Sequence, residues 1–247
     1  SVVRAHLEDD VLPWSNAAIS GWILDPDRKK MSKSKGNVVT PMGLLDEHGA
    51  DGVRYWAAAG RPGTDTAFDV GQMKIGRRLA IKILNASKFV LGLGAALPTD
   101  LDVVTDPLDR AMLASLASVV EDATAAFDDY NYARALEVAE QFFWSFCDDH
   151  VELVKGRAYG NQGDAASDSA RAALEEALGV LLRLLAPIVP YATEEAWSWW
   201  QEGSVHRAAW PDPTDVVMDA GGGDPLVTEV ASAVLSEIRK AKTEAGT

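Results

Sequence analysis

The feature that most constrains the fold is the spacing of apolar residues after Thr40, which recurs at three and four positions along most of the chain. Residues 71–91, 106–128 and 168–185 show this spacing most clearly. It places apolar side chains on one face of an α-helix, which must then pack against another element. Asp106-Pro107 is a typical helix start. We therefore predict a mainly α protein in which about four long helices form an antiparallel bundle.

Capping and helix-breaking residues set the expected helix boundaries, because a cap residue before proline begins a helix and glycine or proline ends one. The expected segments are a short helix from Thr40-Pro41 to Gly49, a second from about Asp51 to Ala59, a helix from Asn131 to Gly156, a connector over 157–167, a helix from about Asp168 to Pro187, a short aromatic helix from Thr193 and a last helix from about Pro225. Phe143, Phe146 and His150 continue one apolar stripe, so we expect them in the core, with Cys147 as a small buried residue.

The start of the chain has a different pattern. Residues 17–24 (Ala-Ala-Ile-Ser-Gly-Trp-Ile-Leu) are mostly apolar with little alternation, which favours a strand buried on both faces. Asp25-Pro26-Asp27 ends that strand with turn chemistry. Residues 61–70 look like a loop, and the first ten residues carry no helix-start signal. Because a lone strand cannot satisfy its own backbone, we expect it to be the last piece of a sheet whose other strands lie elsewhere.

Charge is distributed unevenly along the 247 residues, whose formal net charge is −14. Residues 1–95 contain 13 basic and 10 acidic side chains, whereas residues 96–247 contain 10 and 27. An acidic body of this kind repels phosphate, so any nucleic-acid contact must be local. The single cysteine excludes an internal disulfide and a Cys-rich zinc cage, and suggests the reducing cytoplasm. No apolar run approaches the about 20 residues that cross a bilayer.

Most of the basic surplus near the start lies in one short loop. Residues 29–37 (Lys-Lys-Met-Ser-Lys-Ser-Lys-Gly-Asn) offer ammonium groups at Lys30 and Lys33 and hydroxyl groups at Ser32 and Ser34. Cations, hydroxyls and free backbone N–H groups beside a flexible glycine suit a polyphosphate ligand. The loop is not a P-loop, which requires a different glycine spacing. By composition alone, a solvated loop, a nuclear-import signal or a nucleic-acid patch remain open.

The identity of the loop residues adds a resemblance. Lys30-Met31-Ser32-Lys33-Ser34 is identical to the KMSKS signature of class I aminoacyl-tRNA synthetases, and it follows a predicted strand and precedes helices. Four further segments resemble that family: 49–54 (Gly-Ala-Asp-Gly-Val-Arg), 80–91 (around Asn85-Ala86-Ser87), 184–197 (around Pro187-Ile188-Val189-Pro190) and 204–211 (Ser-Val-His to Trp-Pro). Within the class, residues 64–69 and Gly76-Arg77-Arg78 are most similar to the valine-specific members.

The resemblance implies an enzyme that activates valine with ATP and then transfers the valyl group to tRNA(Val). By the same analogy, Lys33 stabilises charge on the β and γ phosphates, Lys30 assists, and Met31, Ser32 and Ser34 shape the ATP-binding loop. Mg²⁺ would accompany ATP in the whole enzyme, and we expect no metal site within this chain. A monomer in the cytoplasm, with no membrane contact, is the expected state.

The resemblance also divides the chain into four regions. Residues 1–39 would be a remnant of a Rossmann catalytic domain with its loop, residues 40–70 a short-helix region that contacts the tRNA stem, residues 71–220 the anticodon-binding bundle, and residues 221–247 a linker and the start of a C-terminal helix. The chain contains no HIGH motif, valine pocket or editing domain, so we expect it to be inactive by itself.

Four cations are weak candidates for tRNA contact. Arg77 and Arg78 lie on the predicted helix at 71–91, and a solvated helix face is an equal alternative. Lys155 and Arg157 lie at a predicted helix C-terminus, where cations also simply complement the helix dipole. Two other functions stay open: a stand-alone helical RNA-binding module in which the loop is merely basic, and a fragment of an isoleucyl- or leucyl-tRNA synthetase.

Overall fold

The computed structural model describes residues 2–32, 34, 36–94, 101–218 and 222–245. These residues form two compact units. The smaller unit consists of Ser1–Val39 and Gly60–Phe68, and the larger one of Thr40–Ala59 and Asp69–Thr247. Lys33, the cation to which the resemblance assigns the main role, lies outside the described residues.

The smaller unit contains one helix, α1 (Val2–Asp9), and two strands, β1 (Ile23–Leu24) and β2 (Thr66–Ala67). The strands pair in parallel, with Ile23 opposite Thr66 and Leu24 opposite Ala67. The amide of Thr66 donates to the carbonyl of Trp22 (2.9 Å), and that of Phe68 donates to Leu24 (2.8 Å).

Two expectations for this unit were wrong. Residues 17–24 do not form a long buried strand, because β1 has two residues and Ile23 is 42% exposed. The region predicted as a loop contributes β2, whose short Thr-Ala sequence gives no periodic signal. Residues 2–9 form α1, and its start could not be found from a capping pattern because the first turn has no acidic residue.

The larger unit is helical. Its α-helices are α2 (Pro41–Ala58), α3 (Val70–Leu91), α4 (Pro107–Asp128), α5 (Tyr132–Ser145), α6 (Val151–Ala158), α7 (Asp164–Leu185), α8 (Pro190–Trp197), α9 (Pro213–Met218) and α10 (Pro225–Glu244). A π-helical turn, Phe146–His150, joins α5 to α6. The predicted mainly α bundle is therefore confirmed. None of the helices in the described ranges is both long and apolar enough to cross a membrane.

Side-chain caps start several of these helices, and the sequence predicts those at Asp106 and Asn131. Asp69 accepts from the amide of Gly71 (2.7 Å), Asp106 from that of Leu108 (2.9 Å), and Asn131 from that of Arg134 (3.3 Å). Gly49 has φ 75° and ψ 163° inside α2, which breaks the helix there into two arms. This kink agrees with the predicted end of one short helix at Gly49 and the start of the next at about Asp51.

Three boundaries differ from the expectation. The helix from Asn131 does not end at Gly156 but continues to Ala158, because a glycine with helical backbone angles weakens a helix without ending it. The connector is shorter than predicted, since α7 begins at Asp164 after Gly163 with φ 90°. The aromatic helix begins at Pro190, which serves as its first residue, and not at Thr193.

The core lies among α3, α4, α5 and α7. Phe143 and Phe146 are each 1% exposed, and Cys147 and His150 are also buried, as expected from the apolar stripe. The largest fully buried non-aromatic side chains come from α3, α4 and α7: Met73, Leu79, Ile83, Met112, Leu113, Leu116, Leu174, Leu178, Leu181 and Leu182. Full burial of a leucine or isoleucine side chain contributes about 1.5–3 kcal/mol, so this core carries the stability of the larger unit.

Candidate functional site

The KMSKS loop begins from a tight turn at the end of β1. Asp25 is largely buried, and its Oδ1 accepts from the amide of Lys29 at 2.8 Å. The amide of Asp25 in turn donates to the carbonyl of Lys29, also at 2.8 Å. Arg28 has φ 60°, which closes this turn. Lys30 then lies next to Leu24 in an antiparallel bridge, so the chain reverses direction immediately before the motif.

Asn37 ties the far end of the loop to its beginning. Its Nδ2 donates to Oδ2 of Asp25 (2.7 Å) and, at 3.4 Å, to the carbonyl of Lys30. Its Oδ1 accepts from the amide of Ser32 at 2.9 Å. The Lys29 amide and then the Asn37 side chain hold the pKa of Asp25 below its ordinary value, because both donate to the charged carboxylate. Asp25 is therefore an anionic acceptor at neutral pH.

The chemically useful groups of the loop project from this closed base. Lys30 is exposed, and its Nζ lies 3.2 Å from the centre of the Trp22 ring, a cation–π contact. The hydroxyl oxygens of Ser32 and Ser34 are 2.7 Å apart, while Met31 is half-buried. Among the described residues of the motif, the structure thus places the ammonium group of Lys30 and the hydroxyl groups of Ser32 and Ser34 on one short loop. Such a donor set can bind the oxygens of a polyphosphate.

A second candidate surface lies between α2 and α3 in the larger unit. Lys74, Arg77 and Arg78 are exposed and line a cavity of about 720 Å³ together with Glu47 and His48. Nη1 of Arg77 donates to the carbonyl of Glu47 at 2.6 Å, which fixes this arginine against α2. The helical spacing of α3 thus presents several cations on one exposed face.

His48 forms part of the opposite wall of this cavity. It is 3% exposed, and its Nε2 has no hydrogen-bond partner among the described residues. The nearest carboxylate oxygen, Oε1 of Glu47, is 3.6 Å away. The cavity therefore combines exposed cations with a buried imidazole.

The two cations near the end of α6 have different surroundings. Lys155 is exposed and lies 2.6 Å from Oε2 of Glu152. Arg157 is buried, and its two terminal nitrogens contact Asp109 at 2.7 and 2.8 Å. A buried carboxylate thus occupies Arg157, which the sequence offers only as a weak candidate for contact with tRNA phosphate. Its position at a helix C-terminus gave no sign of the buried carboxylate that packing brings to it.

Sequence reasoning missed the roles of Asp25, Asn37 and Trp22 in the loop. The turn pattern of Asp25-Pro26-Asp27 does not show that Asp25 accepts a hydrogen bond from the far end of the loop, and the sequence assigns no contact to Asn37. An acid at the end of a strand and an amide just after the motif were the available signals. Among the residues that the structure describes, no group of three or more His, Cys, Asp or Glu side chains could hold a metal ion.

Comparisons with known families match both units. The model for "tRNA synthetases class I (I, L, M and V)" matches residues 1–69, and that for "Anticodon-binding domain of tRNA ligase" matches residues 109–247. The first match includes the KMSKS loop, and the second covers more than half of the chain.

Individual relatives agree with these matches. The chain is 60% identical to the valine–tRNA ligase of Salinispora tropica and 62% identical to that of Thermobifida fusca, in each case over 99% of this chain. It covers 30% and 28% of those two proteins, so it spans less than a third of their length. The fold resembles that of LeuRS in the ternary complex of Agrobacterium radiobacter K84 agnB2 LeuRS with tRNA and LeuAMS. That similarity has a TM-score of 0.69 at 21% identity, over 88% of this chain and 27% of the other.

Proposed function

This chain belongs to the tRNA ligases that carry an anticodon-binding domain, and from that premise we propose that it is part of a valine–tRNA ligase. The whole enzyme would activate valine with ATP and pass the valyl group to tRNA(Val). The observation that carries the proposal is the intact KMSKS loop on its closed base, in a chain about 60% identical over its full length to valine–tRNA ligases.

The loop would act in the activation step. A carboxylate oxygen of valine attacks the α phosphorus of ATP, the bond from that phosphorus to the bridging oxygen breaks, and pyrophosphate leaves. Negative charge therefore grows on the β and γ phosphates, where Lys30 and Lys33 would stabilise it. The hydroxyls of Ser32 and Ser34 would orient phosphate oxygens. Mg²⁺ would arrive with ATP as part of the substrate complex.

The position of Lys30 is compatible with this role. Its contact with the exposed Trp22 ring is worth about 0.5–1 kcal/mol, less than a charged contact with phosphate in a site from which water is excluded. Lys30 can therefore leave the ring for a bound triphosphate at small cost. Trp22 holds the ammonium group near the loop until then.

The larger unit would bind the tRNA. Its strongly acidic composition excludes a general electrostatic grip, so phosphate contacts must be made by local clusters of cations. Arg77 and Arg78, with Lys74, form one such cluster beside the cavity between α2 and α3. Lys155 is a weaker candidate, because Glu152 already neutralises it. Arg157 is a poorer candidate still, because its guanidinium is buried against Asp109.

Two alternatives are not favoured. A stand-alone RNA-binding module would not need the class I synthetase segment at residues 1–69. An isoleucine- or leucine-specific enzyme is less compatible with valine–tRNA ligases as relatives at 53–62% identity. We also propose that the parent enzyme acts as a monomer in the cytoplasm; the one cysteine of this chain is buried and unpaired, which is compatible with a reducing compartment.

The test uses the full-length protein that contains this chain. We expect ATP–pyrophosphate exchange that depends on valine and is far weaker with isoleucine or leucine. We also expect valylation of tRNA(Val), with weaker binding when the anticodon is substituted. Exchange driven best by another amino acid would overturn the assignment to valine. Equal affinity for both tRNAs would show that the bundle supports the enzyme without reading the anticodon.

A further inference from the structure

We propose that Asp25 and Asn37 form a clasp that positions the KMSKS loop for ATP, so that both are positioning residues for the activation step. The inference rests on the proposed function, since the loop is taken to bind the triphosphate of ATP. Neither side chain would touch the nucleotide. Each would act through the backbone of the residues that do.

The clasp closes the loop at its base. Asp25 accepts hydrogen bonds from the Lys29 amide and from Nδ2 of Asn37, at 2.8 and 2.7 Å. Asn37 reaches back to Ser32 inside the motif, whose amide donates to Oδ1 at 2.9 Å. One carboxylate and one side-chain amide thus join the backbone of Lys29, before the motif, to the backbone of Ser32, within it. Fixing the loop in this way removes conformational freedom that ATP binding would otherwise have to remove.

The clasp has a defined polarity, and this makes it testable. A carboxylate only accepts hydrogen bonds, whereas an amide has one accepting and one donating end. The Asn37 oxygen is used by the Ser32 amide, so its nitrogen must face Asp25. An amide at position 25 would bring two NH₂ groups together. A carboxylate at position 37 would bring two negative charges together.

Exchanging the two residues restores the pattern. In the double variant Asp25→Asn with Asn37→Asp, the new amide oxygen accepts from the Lys29 amide and its nitrogen donates to the new carboxylate. The other oxygen of that carboxylate accepts from the Ser32 amide. The 3.4 Å contact between Asn37 and the Lys30 carbonyl is lost, because a carboxylate oxygen then faces that carbonyl oxygen. Position, volume and total charge of the pair are conserved.

The experiment compares both single variants and the exchange variant in the full-length enzyme. The matched control is Asp27→Asn, which removes a charge from the same turn at an exposed side chain that does not contact Asn37. We expect each single variant to raise the KM for ATP in valine-dependent pyrophosphate exchange by about tenfold or more, because each breaks a hydrogen bond to a charged group. The KM for valine should stay the same. The exchange variant should return to within about threefold of the starting enzyme, and the control should not differ from it.

A second readout does not depend on activity. Trypsin cleaves after lysine and arginine, so cuts within residues 28–35, identified by mass spectrometry, report how often the loop opens. We expect faster cutting there in both single variants, and normal cutting in the exchange variant and the control. If the unmodified enzyme showed no valine-dependent exchange, the proposed function would be refuted, but the trypsin readout would remain valid. The clasp would be refuted if the exchange variant were cut by trypsin as fast as the single variants and had an equally high KM for ATP. It would also be refuted if the single variants behaved like the control.

Discussion

Arg157 contacts Asp109 through both terminal nitrogens, with Nη1 2.7 Å from Oδ2 and Nη2 2.8 Å from Oδ1. The carboxylate is 0% exposed and also accepts from the hydroxyl of Ser169 at 2.8 Å. Ser169 Oγ in turn accepts from the amides of Thr105 and Asp106, both at 3.1 Å. One buried charge pair thereby joins α4, α6 and α7 and the segment before α4.

The first prediction concerns this pair. Arg157→Met leaves the Asp109 carboxylate buried without its cation, and we expect the free energy of unfolding to fall by roughly 3–5 kcal/mol. Lys155→Met, two residues away on the same helix, breaks only the exposed pair with Glu152. It should change the free energy of unfolding by less than about 1 kcal/mol. Urea unfolding followed by circular dichroism measures both. Similar losses for the two variants would show that the buried pair has no special weight.

The second prediction concerns His150, which is stacked on Phe146 and buried. Burial lowers its pKa to about 4, despite Asp109, whose Oδ1 lies 3.7 Å from Nε2 and favours the charged form. Arg157 lowers the pKa further, while Asp106 raises it. Because the unfolded chain takes up this proton near pH 6.5, the contribution of His150 to stability is complete above that pH. It should be lost between about pH 6.5 and 4, by roughly 3 kcal/mol.

His150→Phe keeps an aromatic ring in the stack and removes the titrating group. Its free energy of unfolding should change less between pH 7 and 4 than that of the unmodified protein, with His6→Gln on the exposed surface of α1 as the control. Parallel pH profiles for all three proteins would contradict the assignment of this loss to His150.

The third prediction concerns the loop cations. In the full-length enzyme, Lys33→Ala should lower the rate of ATP–pyrophosphate exchange at least about a hundredfold, because losing one cation from a desolvated site raises the barrier by roughly 2.7–4 kcal/mol. Lys29→Ala is the matched control, since its exposed ammonium group lies 3.7 Å from Asp27. Equal rates for the two variants would remove Lys33 from the mechanism.

The fourth prediction concerns the cation cluster on α3. Replacing Lys74 and Arg78 by alanine should weaken tRNA binding and flatten the dependence of log affinity on log salt concentration by about 0.7–0.9 per lost phosphate contact. Exchange in the absence of tRNA should stay unchanged. Arg134→Ala on α5, where Glu137 lies 2.8 Å away, is the control. An unaltered salt dependence in the double variant would mean that this face is simply solvated.

The sequence by itself determined the elements whose causes are local. Apolar residues at helical spacing predicted α3, α4 and α7, and Asp69, Asp106 and Asn131 cap their helices through amides two or three residues away. The KMSKS motif could likewise be recognised without coordinates, because its residues are consecutive. Interactions within one turn or one loop can be recognised from the sequence, because the residues that make them are close together in it.

Tertiary structure alone decided which distant groups meet. The pairing of Ile23 with Thr66 and the burial of Arg157 against Asp109 each join residues more than 40 positions apart. Asp25 and Asn37 are separated by 12 positions, and only the turn after β1 brings them to 2.7 Å. The physical reason is that a carboxylate or guanidinium has no preferred partner in sequence; its partner is whichever group packing has placed where water cannot compete.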